Sequence, residues 1–162
     1  LSASIMKIDY STAVIGFVVY AILNGITLSV IFNIYLLSSI YSTFFVTAGM
    51  FAGMAIYGYT TKANLTTMGS MAIMLLWGLI LGRLVNFFFR SSQAEMLFSF
   101  IGVIVFCLLT AYDVQKIKNI FMKMYGSATD LDKVTIIGAL TLYLDFINLF
   151  LSLLRFTGRR RN

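Results

Sequence analysis

Five stretches of this chain are each at least about 20 residues long and overwhelmingly apolar, separated by short polar intervals: residues 12–33, 40–59, 68–89, 97–124 and 134–154. About 20 apolar residues is the length an α-helix needs to cross roughly 30 Å of hydrocarbon. In hydrocarbon every backbone N–H and C=O must be paired within its own segment or around a closed barrel. None of the five shows the alternation of a barrel strand, and Leu, Ile, Met, Ala and Phe fill them throughout. With 60% of its residues hydrophobic and 11% charged, the chain has too little polar surface for a soluble domain. The expected fold is an all-α integral membrane protein: one polytopic helical bundle, a single domain over residues 1–162.

The fourth and fifth segments each hold a lone aspartate in apolar surroundings, Asp113 in FSFIGVIVFCLLTAYDVQKI and Asp145 in VTIIGALTLYLDFINLFLSLL. A carboxylate in hydrocarbon costs several kcal/mol and is rarely kept without a task. Ile117, Ile120, Phe121 and Met124 recur at helical spacing, which carries the fourth helix past Lys116 and Lys118 to Met124. Asp113 then stands eleven residues from its helix end, and Asp145 eleven residues from Val134. If the two helices are antiparallel across the polar stretch around Thr129, both carboxylates lie about 16 Å from the loop, level and near mid-membrane depth. At hydrogen-bonding distance in a low dielectric they would titrate as a pair, in two macroscopic steps. Singly protonated, they share a hydrogen bond and hold the helices together. Doubly ionised, they repel and offer oxygens to a hard cation such as Ca²⁺. The plainer alternative leaves Asp113 near an interface and pairs Asp145 with Arg83 or with backbone.

Other residues sort by face. Tyr20, Asn24 and Thr27 form a narrow polar stripe on the first helix, expected to look inward. A tight turn near Ser38 and Ser39 leads to the second helix. Its Gly49 and Gly53, like Gly78 and Gly82 on the third, offer close helix approach, expected inside the bundle rather than between copies. Asn64 with Thr66 or Thr67 is placed to cap the third helix. That helix also carries Arg83 and Asn86, candidates for lining or supporting a pore; Arg83 sits about 10 Å from the Arg90 end, within reach of snorkelling, and is alternatively a counter-ion for an aspartate. The fifth helix repeats Gly138, Thr141, Asp145, Asn148 and Ser152 at spacings of three and four, a stripe that belongs in the interior or along water.

Histidine is absent and the single cysteine, Cys107, lies in an apolar run where packing is its expected role. The net charge of +6 comes from residues at helix ends and the tail Arg159, Arg160, Arg161, which suits lipid headgroups rather than nucleic acid. One flank holds Lys7, Lys62, Lys116, Lys118, Lys123 and Lys133, the other Arg90, Arg155 and the tail arginines, so the positive-inside rule does not orient the chain. The first residue is Leu rather than Met, as expected of a fragment or incompletely covered chain. No phosphate loop, metal-ligand cluster or nucleophile–base pair is present, and the chain is not expected to be an enzyme. Intramembrane aspartyl proteolysis is a remote alternative: it too needs two membrane aspartates, but its second motif is a glycine-rich GxGD and this chain has LYLD at 142–145.

TAYDVQKIK at 110–118, GYTTKANL at 58–65 and LYLDFINLFLSLLR at 142–155 resemble the transmembrane Bax inhibitor motif family, especially its bacterial YccA-like members, over essentially the whole chain. The resemblance implies a seven-helix fold with the last helix central, of which the present five helices correspond to the third to seventh. Two N-terminal helices, and the charged latch on the second of them, would then be lacking. It also implies a pH-sensitive calcium leak channel of the bacterial inner membrane, with Asp113 and Asp145 as pH sensor and Ca²⁺ site and no bound cofactor. Arg83, Asn86, Thr141, Asn148 and Ser152 would line or support the path. Partners would be the bilayer, Ca²⁺ and protons. The rival reading is a non-transporting regulator that binds a membrane protease or another membrane protein in quality control or stress survival.

Overall fold

The computed structural model describes residues 9–124 and 128–161, with only the backbone of 128–130. The lead-in with Lys7, the connector apex at 125–127 and the side chain of Thr129 lie outside the described residues. Six helices follow in order: α1 (Tyr10–Leu28), α2 (Ile31–Ile34), α3 (Leu37–Thr60), α4 (Thr66–Phe89), α5 (Ser92–Lys123) and α6 (Ala128–Thr157). Among the described residues, five helical spans are long and apolar enough to cross a membrane, α1 and α2 counting together as one. The chain is thus a helical integral membrane protein, as its apolar segments require.

Boundaries moved where polar side chains compete for backbone groups. The first segment is not one helix: the Ser29 N–H donates to the carbonyls of Gly25 and Ile26, its hydroxyl donates to Ile26 at 2.6 Å, and the chain re-forms as α2. The turn expected at Ser38 and Ser39 lies instead at Tyr35–Leu36. Helix α5 starts at Ser92 because the Ser91 hydroxyl accepts from the Ala94 N–H at 3.3 Å and Glu95 occupies the first turn. Its other end, with Met124 as C-cap, stands where the apolar periodicity put it. Helix α6 begins at Ala128 rather than Val134, so part of the stretch read as a turn is helical.

Helices α5 and α6 form the most extensive pair. Helix α4 packs on α5, α3 packs on both, and α1 packs on α6. Not one residue from Thr141 to Leu154 is exposed, so α6 is wrapped along this length and is the central helix. Ala72, Leu79, Val105, Phe106, Leu109 and Leu149 make the main core, with Cys107 packed against it. The outer faces of α3 and α4 show lipid-type residues such as Phe45, Met74 and Trp77.

Two expected stripes turn differently. Tyr20 and Asn24 are half-buried beside α6, and Phe17 meets Tyr143 edge to face at 6.2 Å, but Thr27 is exposed. The Thr27 hydroxyl satisfies itself on the Leu23 carbonyl at 2.9 Å, which removes the reason for it to face inward. Gly49, Gly53 and Gly78 also point away from the bundle, with nothing within 4 Å of an added Cβ. The inward face of α3 is Ile40, Thr43, Thr47 and Gly58. Of the four glycines expected at close approaches only Gly82 makes one, its Cβ position 2.9 Å from the Phe98 ring on α5, and the others fall at glycines the pattern did not single out. A Cβ on Gly58 would strike the Ala111 carbonyl, one on Gly69 the Tyr112 ring, and one on Gly102 would stand 2.7 Å from the Ser152 hydroxyl.

Candidate functional site

Helix α5 contributes Asp113 and α6 contributes Asp145, and the two carboxyls face each other within hydrogen-bonding reach, although the arms are unequal, 10 residues from Asp113 to Lys123 and 17 from Ala128 to Asp145. Asp145 is 6% exposed and Asp113 half-buried. Among the described residues, Asp145 Oδ2 is buried without a hydrogen-bond partner. A carboxylate oxygen in that setting is costly unless it holds a proton or meets a cation.

A cavity of about 290 Å³ opens on the loop side of the pair, between the C-terminal half of α5 and the N-terminal half of α6. Asp113, Lys116, Ile120, Val134, Gly138 and Thr141 are among its lining residues; Asp145 is not. Asp113 therefore stands between the cavity and the buried carboxyl. The Thr141 hydroxyl donates to the Ile137 carbonyl at 2.9 Å, which leaves its lone pairs free to accept or to meet a cation. Lys116, overlooked in the sequence as a site residue although it lies one helical turn from Asp113, supplies a cation at the cavity wall and sits 5.8 Å from the Tyr112 ring centroid.

The α5 segment bearing Asp113 is strapped to the α3–α4 turn. The Leu65 N–H donates to Gln115 Oε1 at 2.9 Å, Gln115 Nε2 donates to the Ala63 carbonyl at 2.8 Å, and Lys118 Nζ donates to the Tyr59 carbonyl at 2.7 Å. Lys118 also lies 4.9 Å from the Tyr59 ring centroid. The N-cap of α4 is Leu65, without a side-chain cap, rather than Asn64, Thr66 or Thr67; Asn64 instead closes an Asx turn, its Oδ1 accepting from the Thr66 N–H at 3.0 Å. Two stretches that carry the family resemblance, GYTTKANL and TAYDVQKIK, are thus one contact surface.

The other nominated residues lie away from the pair. Asn86 is buried and closes the α4–α5 turn, its Nδ2 donating to the Ser91 carbonyl at 3.1 Å and its Oδ1 accepting the Ser91 N–H at 3.0 Å. Its amide is thereby occupied on both sides. Asn148 donates to the Leu144 carbonyl at 2.8 Å and, with Arg83, lines a separate cavity of about 240 Å³ among α4, α5 and α6. Ser152 is 1% exposed and packs into the notch at Gly102. Arg83 has Arg155 and Glu95 as its charged neighbours, so it is no counter-ion to either aspartate. Ten residues separate Asp145 from Arg155 along α6, about 15 Å of rise, which puts the guanidinium near the opposite end of the bundle.

A membrane bundle whose wrapped last helix presents a buried carboxyl to a carboxyl of its neighbour is the class that fold and site define. The sequence profile of the family described as inhibitor of apoptosis-promoting Bax1 matches residues 1–162, and the chain belongs to that family. It is 52% identical over 162 residues to the inner membrane protein YbhL of Escherichia coli, covering 99% of this chain and 69% of that protein. It is 51% identical over 162 residues to an uncharacterised protein of Borreliella burgdorferi, covering 100% of this chain and 70% of the relative. A protein of Rickettsia prowazekii is 47% identical over 156 residues, covering 96% and 66%.

Proposed function

We propose that the protein is a pH-sensitive calcium leak channel of the bacterial inner membrane, with Asp113 and Asp145 as its proton-responsive gate. The observation that carries this reading is the carboxyl pair itself, one oxygen of it orphaned, behind a cavity that ends at Asp113. Placement in the inner membrane rests on the likeness to YbhL. At low pH the pair holds a proton, shares it and draws α5 to α6, closing the path. At higher pH both carboxyls ionise, repel and offer oxygens to a cation moving in from the cavity. Among the described residues no cluster of three or more His, Cys, Asp or Glu assembles. A Ca²⁺ ion takes about six to eight oxygens, so it would keep much of its water there, which suits passage rather than storage. The chain's part is to position two carboxyls and hold them out of bulk water; no catalytic step is assigned to it.

The test is Ca²⁺ flux into proteoliposomes between about pH 6 and 8, with Asp113→Asn and Asp145→Asn beside the unaltered protein. Flux should rise with pH and lose that dependence in both variants. Unchanged flux and pH dependence in both would end the gate reading. Flux no greater than that of empty liposomes would leave the regulatory, protein-binding role.

A further inference from the structure

At the end of the bundle away from the aspartates, the α4–α5 turn and the end of α6 enclose a cleft of about 500 Å³. Four arginines line it, Arg83, Arg90, Arg155 and Arg160, against one carboxylate, Glu95. Three features distinguish it from a loose basic surface. First, two guanidinium nitrogens of Arg83, Nε and Nη2, are buried with no hydrogen-bond partner among the described residues, and Arg83 has the positive charge of Arg155 beside it. Buried donors of a charged group left unpaired are expensive, and more so against a like charge. Second, the C-terminal tail is fixed rather than trailing. The Leu36 N–H donates to the Arg159 carbonyl at 3.0 Å, the Arg161 N–H to the Ile34 carbonyl at 2.7 Å and the Arg159 N–H to the Ser39 hydroxyl at 3.1 Å, so Arg160 is held at the cleft by its own backbone. Third, the N-terminus of the 32-residue α5 opens there at Ser91 and Ser92 and adds its partial positive charge.

We propose that this cleft binds the phosphate of an anionic phospholipid headgroup. Guanidinium forks match phosphate oxygens in bidentate geometry, and a phosphate among the four arginines satisfies Arg83 while offsetting the repulsion. The lipid, rather than free phosphate, is assigned as the source because the mouth is apolar. Phe87 and Met96 line the cleft and are 71% and 56% exposed, a surface for acyl chains beside a seat for the headgroup. Gly102 makes room for the arrangement: Arg83 Nη2 stands 3.5 Å from where its Cβ would be.

Native mass spectrometry and thermal melting of the detergent-purified protein, with phosphatidylglycerol, phosphatidylcholine or inorganic phosphate added, test the assignment. Arg83→Gln with Arg155→Gln removes the two central cations. Arg90→Gly is the second variant, because Arg90 sits at φ 51°, a left-handed conformation that glycine adopts more easily, so the turn survives the loss of charge. Arg161→Gln, on the same tail but outside the cleft, is the charge-matched control. Phosphatidylglycerol should be retained and should raise the melting temperature where phosphatidylcholine does not. Its apparent affinity should fall roughly tenfold in the double variant and less in Arg90→Gly, and hold in Arg161→Gln. Equal stabilisation by inorganic phosphate would overturn the lipid assignment in favour of a free anion. Equal retention of both lipids, or an equal loss in Arg161→Gln, would overturn the site.

Discussion

Single residues here carry meaning only through what faces them. Gly49 and Gly58 lie nine residues apart on α3 and look alike in the sequence, yet one faces open space and the other the backbone of α5. A backbone carbonyl cannot swing aside like a side-chain tip, so Gly58→Ala should lower stability by about 1–3 kcal/mol, an overpacking cost. Gly49→Ala should change it by no more than about 1 kcal/mol, and in the stabilising direction that helix propensity gives. Melting of both variants in one detergent checks the contrast; equal destabilisation would mean that α3 is rotated from its described face. Asn86 teaches the same lesson. The sequence offers a polar residue near a helix end, and the fold spends its amide on the next turn.

Between elements, the strap at Gln115 is the contact with the clearest consequence. Its amide both accepts from and donates to the α3–α4 turn, from the helical turn that follows Asp113. Gln115→Ala leaves the Leu65 N–H and the Ala63 carbonyl to find other partners, at a cost of about 1–3 kcal/mol for each that stays buried and unpaired. Amide hydrogen exchange should quicken at residues 61–66 while the α5–α6 core keeps its protection. Uniform quickening would instead assign Gln115 to global stability. This coupling also gives a physical reason why the polar turn at 58–65 and the segment at 110–118 resemble one family together: they are two sides of one joint.

The whole molecule has two unlike ends. The cavity at Asp113 lies at the C-terminal end of α5 and the arginine cleft at its N-terminal end; from Glu95 to Ile120 is about 38 Å of helix, enough to cross the bilayer. A thiol scan can read which parts are wet, since Cys107 is the only native cysteine and Cys107→Ser clears the background. In that background Thr141→Cys, at the cavity, should react with a water-soluble maleimide, and Ser152→Cys, 1% exposed against Gly102, should not. Equal labelling of both would mean that α6 is not wrapped as described.

The sequence by itself determined the medium and the class of fold, because hydrocarbon admits only segments that satisfy their own backbone and five such segments are written in the chain. It also pointed to the aspartate pair, one carboxylate in each of two consecutive apolar helices, but not to the arms that carry them: 10 residues run from Asp113 to the end of α5 and 17 from the start of α6 to Asp145, because the first turns of α6 are polar and read as part of the connector. Which face of α3 and which side of Thr27 look inward was decided only by tertiary structure: a small residue or a self-bonded hydroxyl fits lipid and protein almost equally well, and the pattern along one helix does not distinguish them. The company of Arg83 was likewise decided by the fold. Its neighbours Glu95 and Arg155 come from two other helices, and no spacing along α4 encodes who arrives from across the bundle.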